Sequence, residues 1–248
     1  MRKESAHNKA WRARRALMAL VALTGLMALT VLLVSGCVYM SPRTLKGSCP
    51  TALDSPVRNF CVVTPHVLWR GEHPTAADAS WLVRQRVGSV LSLQVDARRA
   101  FEHATVTAAD APLSVPYYRM RGLDPLQMLS SRHLDDRAAM FLAIVSIAPK
   151  PLYVHCRAGV DRAGVLLAVY RMLVEGVSAE DAIAELARFK SPWLPLEKRY
   201  INGLSETRRD EIRRDAEKLK SVVHPVGRFE CRNGRCSYDP VPEATAAG

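Results

Sequence analysis

The sequence predicts an α/β fold in which a central, mostly parallel sheet is flanked by helices. Short apolar runs of strand length alternate with longer amphipathic segments over residues 60–205. The composition, 48% hydrophobic and 24% charged, is that of an ordinary globular domain. An apolar run at 151–154 ends at a cysteine and passes through a short loop into a helical segment. Together these observations place a functional loop at the carboxyl end of a central strand.

The expected strands are short runs rich in valine, leucine and tyrosine. Residues 60–70 predict one or two strands, and residues 89–95 predict a buried one. Residues 113–119 and 151–154 complete the set.

The expected helices follow from apolar periodicity and from capping residues. The helix at 75–86 opens with a Thr-Ala-Ala-Asp capping pattern, and the helix at 178–189 opens with a serine. The remaining helices are predicted at 97–109, 131–147, 163–173 and 196–220. The last of these carries arginines interleaved with acids, which is typical of a solvated helix face.

Residues 1–36 predict a targeting segment that precedes the folded domain. Six basic residues and one acid precede an uncharged apolar run at 16–34. The run ends in Val-Ser-Gly before Cys37, which resembles a bacterial lipoprotein cleavage box with Cys37 as the lipidated residue. The alternative is an uncleaved membrane anchor, since about 19 apolar residues can span a bilayer. Either way the domain is expected at the membrane on the periplasmic or equivalent extracytoplasmic side.

Residues 37–58 are polar and predict a tether, residues 59–205 the main domain, and residues 206–248 a C-terminal helix and hairpin tail. In the tail an Asn-Gly turn lies between Cys231 and Cys236, so the two cysteines are expected opposite each other on adjacent strands. A disulfide there, with Cys49 and Cys61 as the matching pair, suits an exported protein. The pairing stays open, and four reduced thiols are the alternative. Zinc is disfavoured because the spacings are wrong and no histidine pair accompanies them.

The formal net charge of +11 leaves +6 for the chain after residue 36. A moderately basic body suits phosphorylated or otherwise anionic partners, including an anionic membrane surface. Nucleic acid is disfavoured because no basic run with interleaved aromatic residues occurs.

The loop between Cys156 and Arg162 has the features of an anion site that holds a nucleophile. A loop between a strand and a helix N-terminus turns successive N–H groups toward one point, and the helix dipole adds positive potential. The same donors stabilise the thiolate of Cys156, which can then attack phosphorus. Arg162 can hold two phosphate oxygens in a bidentate fork. The alternative is a structural cysteine that ends a core strand.

The residues His155, Cys156, five more, then Arg162-Ala163-Gly164 resemble the signature of cysteine-dependent protein tyrosine and dual-specificity phosphatases. The bacterial dual-specificity-like group is the nearest variant. The resemblance extends over about residues 60–205, through segments at 68–74, 88–94, 168–171 and 176–182. It implies the phosphatase fold, with the phosphate-binding loop between a central strand and a helix, and hydrolysis through a phosphocysteine without metal or cofactor.

The resemblance also implies roles for residues around Cys156, the expected nucleophile. Arg162 and the loop amides are expected to bind phosphate, and His155 to orient the loop. Arg157 and Asp161 are expected at the rim. Asp124 resembles the general acid and base of the family in its placement, and Asp135 and Asp136 compete with it but fall in a helix with an outward-facing pattern. The loop residues expected around the phosphate are Arg157, Ala158, Gly159, Val160, Asp161 and Arg162.

One position departs from the family pattern. Members carry serine or threonine directly after the arginine, and this chain has Ala163. The hydroxyl is thought to help the thiolate leave when water hydrolyses the phosphocysteine. Its absence suggests slow breakdown of the intermediate, unless another donor or a loop water substitutes.

We therefore expect a phosphatase acting on phosphate monoesters, with phosphotyrosine or other phosphorylated proteins as substrates. A phospholipid or phosphoinositide headgroup phosphatase is the alternative, since the predicted membrane tether places the site beside a bilayer. A phosphate-binding module with little turnover is the second alternative, suggested by Ala163 alone. The sequence does not define an oligomeric state.

Overall fold

A computed structural model of the chain describes residues 54–94, 104–105, 113–123, 126–232 and 235–240. The predicted targeting segment, Cys37 and Cys49 lie outside these ranges. Within the described ranges, no helix combines the length and the apolar character needed to cross a membrane.

Six helices, one short 3-10 turn and eight strands are described. The strands are β1 (Cys61–Thr64), β2 (Leu68–Gly71), β3 (Ser89–Ser92), β4 (Ala104–Thr105), β5 (Leu113–Arg119), β6 (Leu152–His155), β7 (Gly227–Arg232) and β8 (Arg235–Pro240). The helices are α1 (Ala76–Arg84), α2 (Ser131–Ile147), α3 (Asp161–Leu173), α4 (Ala179–Arg188), α5 (Leu194–Asn202) and α6 (Glu206–Leu219). The 3-10 turn is Gln127–Leu129.

The strands form one sheet in the order β1-β2-β6-β3-β5-β7-β8-β4. The four central strands, β2, β6, β3 and β5, are parallel, and the flanking strands on both sides pair antiparallel. This confirms the predicted α/β class and the parallel centre of the sheet. The central position of β6 brings the ends of β2 and β3 beside the residue that follows it, Cys156.

The central strands are buried on both faces because helices cover both. In β6, Leu152 and Val154 belong to the larger core under α2 to α6, whereas Tyr153 belongs to the smaller core under α1. In β3, Leu91 faces the larger core and Val90 the smaller one. Successive side chains point to opposite faces of a strand, so an unbroken apolar run serves both cores.

The predicted capping pattern at the start of α1 is confirmed. The Asp78 amide donates to the hydroxyl of Thr75 at 3.3 Å, and the Thr75 amide donates to the Asp78 carboxylate at 2.8 Å. The two side chains thus satisfy amide groups that the helix leaves without partners.

Three predicted elements differ from the structure. Of the helix predicted at 97–109, the described part is the strand β4, where β-branched neighbours in the sequence favour a strand over a helix. The helix predicted at 196–220 is two helices, because Gly203 ends α5 and Ser205 caps α6. The end of the predicted tether is packed, since Val57 is 2% exposed.

The predicted register in the C-terminal hairpin is found. Strands β7 and β8 pair so that Cys231 lies opposite Cys236, and β7 extends the sheet by pairing with β5. The disulfide between these two cysteines stays a prediction. Cys61 is disulfide-bonded.

Asp135 joins three helices. Its carboxylate accepts hydrogen bonds from Arg208 Nη2 at 2.8 Å, Arg208 Nε at 3.0 Å and the Tyr200 hydroxyl at 2.9 Å. The neighbouring Asp136 is exposed. Asp135 is therefore a structural link between α2, α5 and α6 with its oxygens engaged.

We predict that Asp135→Ala lowers the free energy of unfolding by about 2 kcal/mol, because Arg208 and Tyr200 lose a charged acceptor. Asp136→Ala, the matched control, is expected to change it by less than about 0.5 kcal/mol. Urea unfolding of both variants measures the difference. Equal losses would show that the half-buried network does not stabilise the helix contacts.

Candidate active site

Cys156 lies directly after β6. Residues 156–162, here called the cysteine loop, comprise the turn after β6 and the first two residues of α3. The cysteine is 3% exposed, and its thiol is free. It lies at the carboxyl end of the parallel strands, where ligands of open α/β sheets bind.

Four successive carbonyl groups of the cysteine loop are held by donors outside it. The His73 amide donates to Arg157 O at 3.3 Å, and Asn59 Nδ2 donates to Ala158 O at 2.9 Å. Arg70 Nη2 donates to Gly159 O at 2.5 Å and to Val160 O at 3.1 Å. All four carbonyls therefore point toward the framework of the domain.

The orientation of the carbonyls fixes that of the amides. In a trans peptide the N–H points opposite to the C=O of the same unit. The N–H groups of residues 158 to 161 consequently face the other side of the loop, and the N-terminus of α3 adds its dipole there. The cysteine loop is thus an anion cradle, as the sequence predicts for this spacing.

Gly159 is required by the close packing of the cradle. Its φ of +68° is in the left-handed region, and a Cβ would lie 2.3 Å from the backbone C and O of Gly71. The turn therefore lies directly against the end of β2.

Arg162 links the cradle to the segment that precedes Asp124. Its Nε donates to Leu123 O at 2.7 Å, and its terminal nitrogens have no hydrogen-bond partner among the described residues.

Two residues of α2 hold the carbonyls that precede Leu123. Arg137 Nη1 donates to Arg121 O at 3.2 Å, and His133 Nε2 lies 2.5 Å from Gly122 O. Asp124 itself lies outside the described residues, so its role stays a prediction.

His155 is fully buried at the end of β6. Its Nδ1 lies 3.4 Å from Cys156 O, and its ring lies 5.2 Å from that of His73. Burial, with a smaller contribution from His73, lowers the pKa of His155 to about 3. The imidazole is therefore neutral at physiological pH, and its hydrogen bond to the loop backbone fits an orienting role.

Arg157 and Asp161 were both expected at the rim of the site, and the structure places only one of them there. Arg157 is exposed, as expected. Asp161 instead faces inward, because the Ser191 hydroxyl donates to its Oδ1 at 2.6 Å. Burial raises the pKa of Asp161, while Ser191, Arg162 and Arg70 act against that change. Asp161 is thus part of the support under the cradle.

Sequence reasoning missed the residues that support the cradle, among which Arg70 is the most important. Arg70 is 4% exposed, and its guanidinium carbon lies 3.8 Å from the centre of the Phe189 ring. Burial lowers the pKa of Arg70 to about 10, partly offset by Cys156, Glu197 and Asp161, so the group stays charged at neutral pH. An arginine inside an apolar strand was the available signal, since a buried charge requires partners.

The residue after Arg162 and the distribution of metal-ligating side chains also bear on the chemistry. Ala163 is fully buried in the first turn of α3. Among the described residues, no group of three or more metal-ligating side chains occurs.

A nearly buried thiol under inward-facing amides, between a central parallel strand and a helix, defines a cysteine-based phosphatase, that is, a phosphoric monoester hydrolase. A family model described as "DSP-PTPase phosphatase fused to NAD+ Kinase" matches residues 61–193, more than half of the chain. The chain belongs to this family of dual-specificity-type protein tyrosine phosphatases. The resemblance stated from the sequence is thereby confirmed.

Several solved structures are similar to this chain. TpbA of P. aeruginosa is 23% identical, with 70% of this chain and 99% of that chain covered and a TM-score of 0.46. The core catalytic domain of the PP-IP phosphatase SIW14 from S. cerevisiae, in complex with citrate, is 20% identical, with 68% and 98% covered and a TM-score of 0.46. Human DUSP28 is 19% identical, with 60% and 97% covered and a TM-score of 0.38. A comparison with curated protein sequences found no match.

We predict that Gly159→Ala weakens the binding of inorganic phosphate by more than about tenfold, because the added methyl group displaces the cradle from β2. Inhibition of aryl phosphate hydrolysis by phosphate measures this. Gly176→Ala is the matched control: its φ is +71°, but a Cβ there meets nothing within 4 Å. The left-handed backbone costs each variant about 1 kcal/mol of stability, and the clash with Gly71 adds to this loss in Gly159→Ala alone. Equal phosphate affinity in the two variants would contradict the close packing of the cradle.

Proposed function

We propose that the enzyme hydrolyses phosphotyrosine in proteins, with Cys156 as nucleophile, Arg162 and the loop amides as phosphate ligands, and Asp124 as general acid and base. The observation that carries the proposal is the depth of the thiol, which is 3% exposed beneath the inward-facing amides. The family membership and the geometry of the cysteine loop support these roles.

The chemistry follows from the cradle. The thiolate of Cys156 attacks phosphorus, the P–O bond to the leaving group breaks, and the carboxyl group of Asp124 protonates the departing oxygen. The amides and Arg162 stabilise the charge on the equatorial oxygens. Water then attacks the phosphocysteine and gives its proton to the Asp124 carboxylate. Inorganic phosphate and the thiolate are released.

The depth of Cys156 supports phosphotyrosine over shorter side chains. A phosphoryl group reaches a nearly buried sulfur only when it is attached to a long, narrow side chain. The phenol ring of tyrosine is longer than the side chain of serine or threonine. A shallow site, in contrast, would admit a bulky headgroup. The exposed Arg157, Arg121 and Arg132 supply positive charge suited to a phosphorylated partner.

A phospholipid or phosphoinositide headgroup phosphatase is the second candidate, favoured by a separate observation. Leu126 is 79% exposed and Leu129 is 59% exposed, just beyond the 121–123 segment that Arg162 contacts. Exposed apolar side chains among basic residues suit contact with an anionic bilayer.

The proposed location is the extracytoplasmic side of a membrane, with the domain tethered through its N-terminus. The apolar run at 16–34 and the residues before Cys37 support a lipoprotein or an uncleaved anchor. The disulfide at Cys61 supports an oxidising compartment.

We predict that kcat/KM for a phosphotyrosine peptide exceeds that for the matching phosphoserine peptide by at least about tenfold, which reflects the depth of the thiol. Phosphoinositide vesicles are the third substrate class in the assay. Cys156→Ser, the control, is expected to lower all activities by more than about a thousandfold. Faster hydrolysis of the vesicles would favour the second candidate, and activity that survives Cys156→Ser would overturn the mechanism.

We predict that the wild-type enzyme releases a burst of phenol from an aryl phosphate in rapid-quench experiments. The reason is that Ala163 has no hydroxyl group to assist the breakdown of the phosphocysteine. Ala163→Ser is expected to raise steady-state turnover by about tenfold and to shrink the burst, since a hydroxyl group beside the thiolate eases its departure. Absence of a burst in the wild type would count against slow breakdown. A burst with no further turnover would instead favour the low-turnover binding module.

A further inference from the structure

Glu197 is a buried acid that the mechanism above does not use. Its side chain lies in the first turns of α5 and is 1% exposed. Neither carboxyl oxygen has a hydrogen-bond partner of good geometry among the described residues. Such a group is costly in its charged form, so it requires an explanation.

The surroundings of Glu197 are mostly apolar. Glu197 lines a cavity of about 10 Å³, enough for no more than about one water molecule. The cavity lies between α3, α5 and the 3-10 turn that follows the 121–123 segment. The other residues that line it are Met128, Leu134, Val165, Trp193 and Leu196.

The charged groups near Glu197 belong to the support of the cradle. Asp161 and Arg70 interact with it electrostatically, and Ser191 contacts both acids. Arg70 in turn interacts with Cys156, Asp161 and Glu185. Glu197 therefore belongs to the buried cluster behind the anion cradle.

Glu197 holds its proton at neutral pH. Burial, with a smaller contribution from Asp161, raises the pKa of Glu197 to about 8, while Ser191 and Arg70 act against the increase. Below this value, Arg70 has neutral carbonyl oxygens of Gly159 and Val160 as its hydrogen-bond acceptors. Above it, an added carboxylate competes for the same guanidinium. Hydrogen bonds to an ionised acceptor are about twice as strong as neutral ones.

We propose that Glu197 is a positioning residue for phosphate binding: its neutral carboxyl group leaves Arg70 bonded to the cysteine loop, and its ionisation draws Arg70 away from Gly159 O and Val160 O. The released peptide units then lose the orientation that points their N–H groups at phosphate. The inference rests on the proposed phosphate-binding role of the loop. It adds that the affinity for phosphate falls at alkaline pH, when Glu197 ionises.

The test compares inhibition constants of inorganic phosphate for the wild type and Glu197→Gln between pH 6 and pH 9.5. The wild type is expected to lose about tenfold more affinity than Glu197→Gln between pH 7 and pH 9, as one or two loop hydrogen bonds are lost. Titration of phosphate itself affects both proteins equally and cancels in the ratio. Glu185→Gln, the matched control for another acid near Arg70, is expected to follow the wild type.

A stability measurement checks the titration separately from activity. A carboxyl group with a raised pKa stabilises the fold fully below its ordinary value of 4.5, and this contribution is lost as the pH rises toward about 8. The melting temperature of Glu197→Gln should therefore exceed that of the wild type by more at pH 7.5 than at pH 4.5.

Arg70→Lys and Arg70→Met test whether Glu197 affects phosphate binding through Arg70. Both are expected to weaken phosphate binding at every pH and to remove the dependence on residue 197 when combined with Glu197→Gln. Parallel phosphate-affinity profiles in the wild type and Glu197→Gln, with normal turnover, would overturn this inference alone. Lack of phosphate binding and turnover in the wild type at every pH would instead overturn the proposed function.

Discussion

Hydrogen bonds from the framework to the carbonyls of the cysteine loop are the interaction on which the site depends. Without hydrogen bonds from outside, a short loop would not hold four consecutive amides on one side. Here the His73 amide, the Asn59 side chain and Arg70 hold the four carbonyls on the other side. The capacity to bind an anion is therefore a property of the segments around β1 and β2 as much as of the loop.

The parallel centre of the sheet makes this arrangement possible. Because β2, β6 and β3 run in the same direction, their carboxyl ends lie side by side, with Gly71 and Ser92 both in register with His155. The residues just beyond β2 thus meet the residues just beyond β6. The antiparallel strands extend the sheet at its two edges.

Local features of the sequence predicted the parts of the site that are contiguous in the chain. The strand, the cysteine, Gly159 and the helix fall within twenty-odd residues, so their spacing alone defines a cradle. The support could not be read in this way, because Arg70 and Gly159 are 89 residues apart and meet only through strand order. The inward position of Asp161 was missed for the same reason, since Ser191 reaches it from beyond α4.

The segment that leads into β1 contacts the cysteine loop directly. Val57 is packed in the core and Asn59 bonds directly to Ala158 O. The first described segment of the chain is thus a single side chain away from the cysteine loop. A displacement of this segment would move the donor of the Ala158 carbonyl, so the backbone before β1 helps to set the shape of the anion cradle.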